Sequence, residues 1–576
     1  MAEKEFDLVI RGGTLIDGAG GEPREADIAI RDGLIAAVGK GAGSGREEID
    51  AKSLLVTPGF VDIHTHYDGQ VTWESRLVPS VAHGVTTAVM GNCGVGFAPC
   101  KADQHELLIR LMEGVEDIPH PVLAEGLPWS WESYPEYLAF LSERRYDIDF
   151  AGYLPHAALR VYVMGQRGVD REPATETDKL RMAEIVGEAV KAGAMGVATS
   201  RTLFHRSSDG NSIPTLTASE DELTALAMAL KACGTGIMQV VADYDDPPAL
   251  FGMMRRLAAC SGRPLTFSLG AGNVRANPWR EILQWVAEAN DNGVVMRPQV
   301  MPRAIGLLLG HELTLNPFYT TEANRTLAHL PFADKIAALR NPQIRAQIVG
   351  EPLKPDPKNL LGAAVRRFDR MFQLGDPPDY EQAPEASIAG IASRRGISPE
   401  EVAYDLMLER DGRNMLYLAM SNFADGKLDA ACEMLRHRDV VPGLGDGGAH
   451  CGTICDGSYS TFMLTHYGRD RTRGAKLPLP HIVRSLTHGT ASVVGLNDRG
   501  LLAPGYKADL NLIDFDRLRL RAPELVNDLP SGGRRLIQRA EGYVATIVSG
   551  SETYRDGEAT GALPGRLVRG AQPAPH

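Results

Sequence analysis

The sequence predicts an α/β fold built around a parallel sheet, and three observations carry that prediction. Short β-rich runs alternate with stretches of helical periodicity along much of the chain. The first central run leads into His64 and His66, and the last leads into Gly443-Leu444-Gly445-Asp446-Gly447-Gly448, so residues able to do chemistry stand where such strands end. Composition agrees: hydrophobic residues make up 44% and charged residues 23% of the 576, close to globular averages and enough for a substantial core.

Taken in order, the runs at 59–65, 86–91, 150–154, 195–199, 237–241, 265–269, 294–299 and 440–444 read as the strands of the sheet. Between them, 177–192 spaces Leu180, Ala183, Val186 and Val190 by three or four residues, the pattern of an amphipathic helix, and 220–233 reads as another. The interval between the seventh and eighth runs is far longer than an ordinary connection, with helical patterns at 332–340, 361–372, 399–410 and 428–437. An insertion at that end of the sheet is placed to shape a substrate pocket. The tail 571–576 reads as disordered.

Charge and cysteine content exclude several classes. A net charge of -13 argues against nucleic-acid and anionic-membrane partners, which need basic patches. Met1-Ala2-Glu3-Lys4-Glu5 is not a signal-peptide start, and no apolar run reaches the ~18 residues of a membrane span, so a cytoplasmic enzyme of small molecules is expected. Whether it forms a homo-oligomer stays open. The 7 cysteines, an odd number without a secretion signal, read as reduced thiols. Cys451 and Cys455 miss the usual spacing of a metal-binding pair and read as small buried residues of a loop.

His64-Thr65-His66 is the strongest chemical signal. Alternate side chains of a strand point the same way, so both imidazoles face one side at the strand's end, a grip suited to zinc and similar ions. Asp446 lies in a glycine-rich turn just past the eighth strand, where a carboxylate could complete such a site or merely shape a turn. Cys93, at the end of the second strand, is either a thiolate ligand or a packed thiol. His450 is either a substrate contact or a solvated loop histidine.

The stretch from Pro58 to His66 resembles the opening metal motif of the amidohydrolase superfamily, metal-dependent hydrolases built on a TIM barrel. The likeness continues in Asp7 to Gly18, Asp27 to Gly39 and Gly495 to Asp514. Within the superfamily, Met90-Gly91-Asn92-Cys93-Gly94 and the ending from Gly532 to Arg566 are similar to the N-acyl-D-amino-acid deacylase group, also called D-aminoacylases. This resemblance implies a (β/α)8 barrel over 58–496 with a helical insertion over about 303–438, and a small β-sandwich made from 1–57 and 497–570. It also implies Asp446 as metal ligand and general base, and Cys93 as a ligand.

The chain departs from that group at the ends of strands five and six, where the group carries two further metal-site histidines. Here 236–243 and 264–270 hold none; Gln239 and Ser268 are the nearest polar residues, and neutral oxygens are poor partners for zinc. Strand four also lacks the lysine that other superfamily members carbamylate. The expectation is therefore one divalent ion, zinc, on His64, His66 and Asp446 with Cys93 as fourth partner. His205 and His156 are outside candidates to substitute, and His450, His205 and Gln239 are candidate substrate contacts.

The expected reaction is hydrolysis of a non-peptide amide, an N-acyl D-amino acid or related N-acyl amide. A bound cation brings the pKa of its water from about 15.7 towards about 7, and the carboxylate shuttles the proton to the leaving nitrogen. A cyclic-amide hydrolase is the alternative reading, and a barrel scaffold without catalysis a further one.

Overall fold

A computed structural model describes residues 5–272, 278–354, 361–423 and 425–575. All eight expected strands are present, as β1 (Phe60–Asp62), β2 (Val85–Met90), β3 (Asp149–Gly152, continued by Leu154–Pro155), β4 (Gly196–Arg201), β5 (Ile237–Ala242), β6 (Leu265–Ser268), β7 (Met296–Val300) and β8 (Val441–Pro442). Each pairs in parallel with the next, from β1·β2 through β7·β8. Beyond β8 the chain returns to the exit of β1, through a parallel bridge between Thr65 and Gly447. The fold is α/β, as expected. Apolar side chains of these strands and of neighbouring segments, among them Val61, Ile63, Val89, Ala198, Ile237 and Val441, pack together as one buried cluster.

The helices that cover this sheet begin and end where local chemistry requires. Helix α1 spans His105–Glu116, α2 Glu176–Ala192 and α3 Glu220–Cys233. Thr175 caps α2 by accepting from the Asp178 N–H, and Gly193 ends it in a left-handed conformation that glycine adopts without strain. Both ends of the chain meet in one nine-stranded sheet, in which Leu510–Ile513 lies between Tyr543–Val548 and Leu55–Pro58. Its core includes Ile10, Leu15, Ile28, Val56, Leu510 and Ile547.

The insertion has a hydrophobic core of its own, with Leu307, Phe318, Leu339, Val402, Tyr404 and Leu418 all buried. Helices form at Phe332–Leu339, Pro399–Met407 and Asp429–Leu435. The expected helix at 361–372 does not. There the chain makes short 3-10 turns at Leu361–Ala364 and Phe368–Arg370 and then the strand Met371–Gln373. Met371 pairs with Leu418 and Phe372 with Tyr417, and Leu416–Ala419 also pairs with Gly306–Leu309. Sheet pairing thus overrides the local helical pattern, and short apolar runs such as Gly306-Leu307-Leu308-Leu309 are ambiguous without it. The tail is also ordered where it is described: Gln572 bridges Leu496, donating its N–H to the Gly495 carbonyl at 2.8 Å. His576 lies outside the described residues.

All seven cysteines are free thiols. Among the described residues, no helix is long and apolar enough to cross a membrane.

A buried ion cluster ties α3 to the segment after β3. Glu222 binds Arg160 at 2.7 Å and His156 at 3.0 Å, with all three side chains at most 1% exposed. Burial alone would raise the Glu222 pKa, but hydrogen bonds and charge from His156 and Arg160 lower it to about 2, from an ordinary 4.5. Because the folded pKa is depressed, this contribution to stability is complete above pH about 4.5 and is lost as pH falls towards about 2. Glu222→Gln is expected to destabilise the fold by about 3–5 kcal/mol at neutral pH, because Arg160 keeps a buried charge without its partner. Calorimetric scans check this: the variant's Tm should fall well below that of wild type at pH 7, and the gap should narrow in acid. Equal Tm values at pH 7 would contradict it.

Candidate metal centre

The exits of β1 and β8 build the site. His66 donates its backbone N–H to the Gly447 carbonyl at 2.8 Å, and Asp446 donates its own to the His64 carbonyl at 3.1 Å. These bonds lay the Asp446 turn against the two histidines. The turn admits only glycine at its contact points: a Cβ on Gly447 would stand 2.5 Å from Ser80 Oγ, and Gly448 has φ +93° with a would-be Cβ 2.8 Å from the His66 carbonyl. Cys93, Leu444, Asp446 and His450 hold left-handed backbone at φ +56°, +62°, +48° and +54°. Such conformations are strained outside glycine, and here they surround one centre.

Side-chain geometry converges there. His64 is fully buried, and its Nδ1 donates to Gln299 Oε1 at 2.7 Å; Gln299 Nε2 donates to Thr266 Oγ1 at 3.0 Å, which fixes the amide's orientation. That assignment puts the proton on Nδ1 and leaves the Nε2 lone pair free. His64 Nε2 then lies 3.4 Å from Asp446 Oδ1 and 3.5 Å from Cys93 Sγ. His66 Nε2 is 3.5 Å from the same Asp446 oxygen. The ligand atoms of His64, His66 and Cys93 all lie within 4.8 Å of one another.

The electrostatics of this cluster call for a cation. Burial lowers the His64 pKa to about 4, so its imidazole is neutral and a competent ligand. Burial acts to raise the Asp446 pKa, but the facing imidazoles, His66 first, hold it below the usual carboxylate range. Asp446 Oδ1, His66 Nδ1 and both Glu116 oxygens are buried without a hydrogen-bond partner in the protein. Unpartnered buried acceptors are rare, and an ion seated between two imidazoles, a thiol and a carboxylate would satisfy Asp446. The residues present therefore fit zinc or a similar divalent ion.

The other candidates separate into two groups. His450 joins the centre, its Nε2 lying 3.8 Å from Asp446 Oδ2 and 3.6 Å from Glu116 Oε2. Gln239 is buried beside it, its Oε1 accepting from the Cys93 N–H at 3.1 Å while its Nε2 has no partner. Ser268 likewise has a buried, unpartnered hydroxyl. His205 bonds Ser200 Oγ at 2.9 Å; burial, then the charges of His66 and His450, push its pKa down to about 3. His156 belongs elsewhere, held by Thr199 and Glu222 in the α3 cluster, so it is not available as a substitute ligand. Cys451 and Cys455 are packed thiols, 5% and 6% exposed.

Two contributors were not foreseen. Gln299, the penultimate residue of β7, accepts from His64 Nδ1 and so orients its ring. Glu116, 1% exposed at the end of α1, places Oε1 3.3 Å from His66 Nδ1. A signal for Glu116 exists: Leu108, Met112 and Glu116 follow at four-residue spacing on the buried face of α1, so an acid continues an apolar stripe. The insertion also reaches the site, because Leu308 donates to the Thr453 carbonyl at 2.7 Å and Thr314 to the Gly452 carbonyl at 3.1 Å.

Known proteins share this architecture. The chain is 28% identical to the N-acyl-D-aspartate deacylase of Alcaligenes xylosoxydans xylosoxydans, an alignment covering 98% of this chain and 96% of that one. In structure it is similar to a D-aminoacylase, with TM-score 0.65 at 23% identity over 98% of this chain and 100% of the other. It is similar as well to the N-acyl-D-glutamate deacylase of Bordetella bronchiseptica, a structure complexed with zinc and a phosphonate inhibitor, at TM-score 0.64, 23% identity and the same coverage. The structural likenesses speak to the fold. A family profile settles the affiliation: with residues 47–554 matched, the chain belongs to the Amidohydrolase family, hydrolases of carbon–nitrogen bonds other than peptide bonds.

Proposed function

We propose that this chain is a single-metal hydrolase of N-acyl amino acids or related N-acyl amides, those of D-configuration first. The observation that carries the reading is the convergence of His64 Nε2 and His66 Nε2 on an otherwise unpartnered Asp446 oxygen, with Cys93 Sγ 3.5 Å from His64 Nε2. The likeness to a deacylase of N-acyl-D-aspartate over nearly the whole chain supports the substrate class. We also read the parallel ladder, with its Thr65–Gly447 bridge, as a closed (β/α)8 barrel, and the nine-stranded sheet of both chain ends as its sandwich companion.

His64, His66, Asp446 and Cys93 would hold the ion, which when bound supplies a Lewis acid and eases deprotonation of the attacking water. Asp446 divides its two oxygens. Oδ1 faces both imidazoles, whereas Oδ2 faces His450, and Oδ2 is the base that takes the water's proton and returns it to the leaving nitrogen. An amide nitrogen departs only when protonated, so this return step is as necessary as the first. His450 and His205 border the same space and are proposed contacts for the substrate's polar groups. With Gln239 and Ser268 in place of imidazoles on β5 and β6, the second half of the centre offers only neutral donors and acceptors to a cation.

Purified protein is expected to hold about one tightly bound divalent ion per chain, as the four-ligand set implies. Elemental analysis finding two, or none in fully active protein, would contradict this. Asp446→Asn should lower kcat by roughly two to four orders of magnitude while the fold persists. Steady-state turnover of N-acyl-D-amino acids, with metal content measured in parallel, checks it; near-native turnover with metal retained would remove Asp446 as the base. Activity on cyclic imides but not on N-acyl amino acids would overturn the substrate assignment. Cys93→Ser should release its metal at lower chelator concentration than wild type, since a serine hydroxyl stays protonated near neutral pH. Superimposed chelator titrations would return Cys93 to the core.

A further inference from the structure

We propose that Glu116 is a positioning residue for His66, accepting its Nδ1–H so that Nε2 is fixed toward the metal. This rests on the metal reading above. Glu116 Oε1 lies 3.3 Å from His66 Nδ1, with both side chains 1% exposed. His66 Nδ1 and both Glu116 oxygens are buried with no hydrogen bond formed in the protein, and Nδ1 and Oε1 stand within ion-pair distance of each other. Each is therefore the other's available partner in a region closed to water, and an unpaired charge there would be costly.

The side of the ring decides the role. His66 Nε2 faces Asp446 Oδ1, the atom that also faces His64 Nε2, whereas Glu116 stands at Nδ1. Glu116 thus orients a ligand and is not itself a ligand of the same ion. A histidine that binds metal through one nitrogen commonly donates the other N–H to a carboxylate or carbonyl, which sets its tautomer and raises its basicity. His64 has the neutral form of this arrangement, in the Gln299 amide. His66 has a carboxyl group in the corresponding place.

The backbone holds Glu116 in place. As the last residue of α1 it has a carbonyl without an intrahelical partner, and the His450 N–H donates to it. The next residue, Asp117, turns the chain at φ +52° and accepts from the Gly452 N–H at 3.0 Å, Thr453 Oγ1 at 3.0 Å and Thr314 Oγ1 at 2.9 Å. Glu116 is in this way anchored to the loop that follows Asp446 and is preorganised before any ion binds.

The test compares Glu116→Gln, which keeps an acceptor of similar shape, with Glu116→Met, which fills the space without one. Glu116→Ala replaces Met if Met does not fold, as judged by circular dichroism. Zinc affinity is measured by chelator competition on the full chain, and the visible absorption of cobalt-loaded protein reports the geometry of the ligands. Loss of the acceptor should weaken zinc binding about 10–100-fold and shift the cobalt bands, with Gln recovering most of the affinity. Equal affinities in wild type, Gln and Met, or Gln no better than Met, would overturn the role of Glu116. His66→Ala is titrated alongside: if it binds zinc as tightly as wild type, the metal assignment itself fails, a result separate from either outcome for Glu116.

Discussion

The candidate site depends on a short backbone seam between the exits of the first and last strands of the parallel ladder. The Thr65–Gly447 bridge, with the two hydrogen bonds flanking it, places Asp446 against His64 and His66. No local preference would bring together a histidine pair near the start of the ladder and a carboxylate near its end. The return of the ladder to its first strand does so, and it explains a glycine: at Gly448 the two exits approach too closely for a side chain, while at Gly447 the Ser80 and Tyr67 side chains fill the space. The left-handed conformations of Asp446 and Leu444 follow from the same closeness. Strain at these positions is tolerated because the pairing on either side leaves the chain no other course.

The second consequence is electrostatic. The seam holds the Asp446 carboxylate with its Oδ1 buried, and α1 adds the buried carboxyl of Glu116, next to imidazoles and a thiol. Burial drives Glu116 up to about 7; burial also works against charge on His66, but Glu116 and then Asp446 outweigh it and raise the His66 pKa. A divalent ion at the centre would resolve this tension, which supports the ligand set proposed above. Elsewhere in the molecule, comparable burial is balanced within the protein, as where Arg160 and His156 surround Glu222. The contrast between these two clusters distinguishes a structural ion cluster from a candidate ligand site.

Much of the fold was legible because it is written locally. Eight β-rich runs announce the ladder, and the residues 177–192 and 220–233 show helical spacing that the structure follows closely. The insertion was less legible. Its helices have the expected period, but its sheet is made of three- and four-residue strands whose partners lie far away in sequence, and 361–372 exchanges a plausible helix for turns and a strand to complete it. The tail failed for a similar reason: nothing within 571–575 reveals that Gln572 has Leu496 to pair with.

In the site, legibility followed the number of elements needed to recognise each residue. His64 and His66 need one strand, and they were plain. Asp446 and Cys93 acquire meaning only beside a second element, and a resemblance to other proteins stood in for that geometry. Glu116 and Gln299 each face a histidine, so no ligand spacing reveals them, although both are polar residues in positions that the surrounding pattern reserves for apolar ones. Such a residue must find a partner or leave a buried group unsatisfied. An acid on an apolar helical stripe is accordingly a question about what it faces, and at Glu116 the facing group is the unoccupied nitrogen of His66.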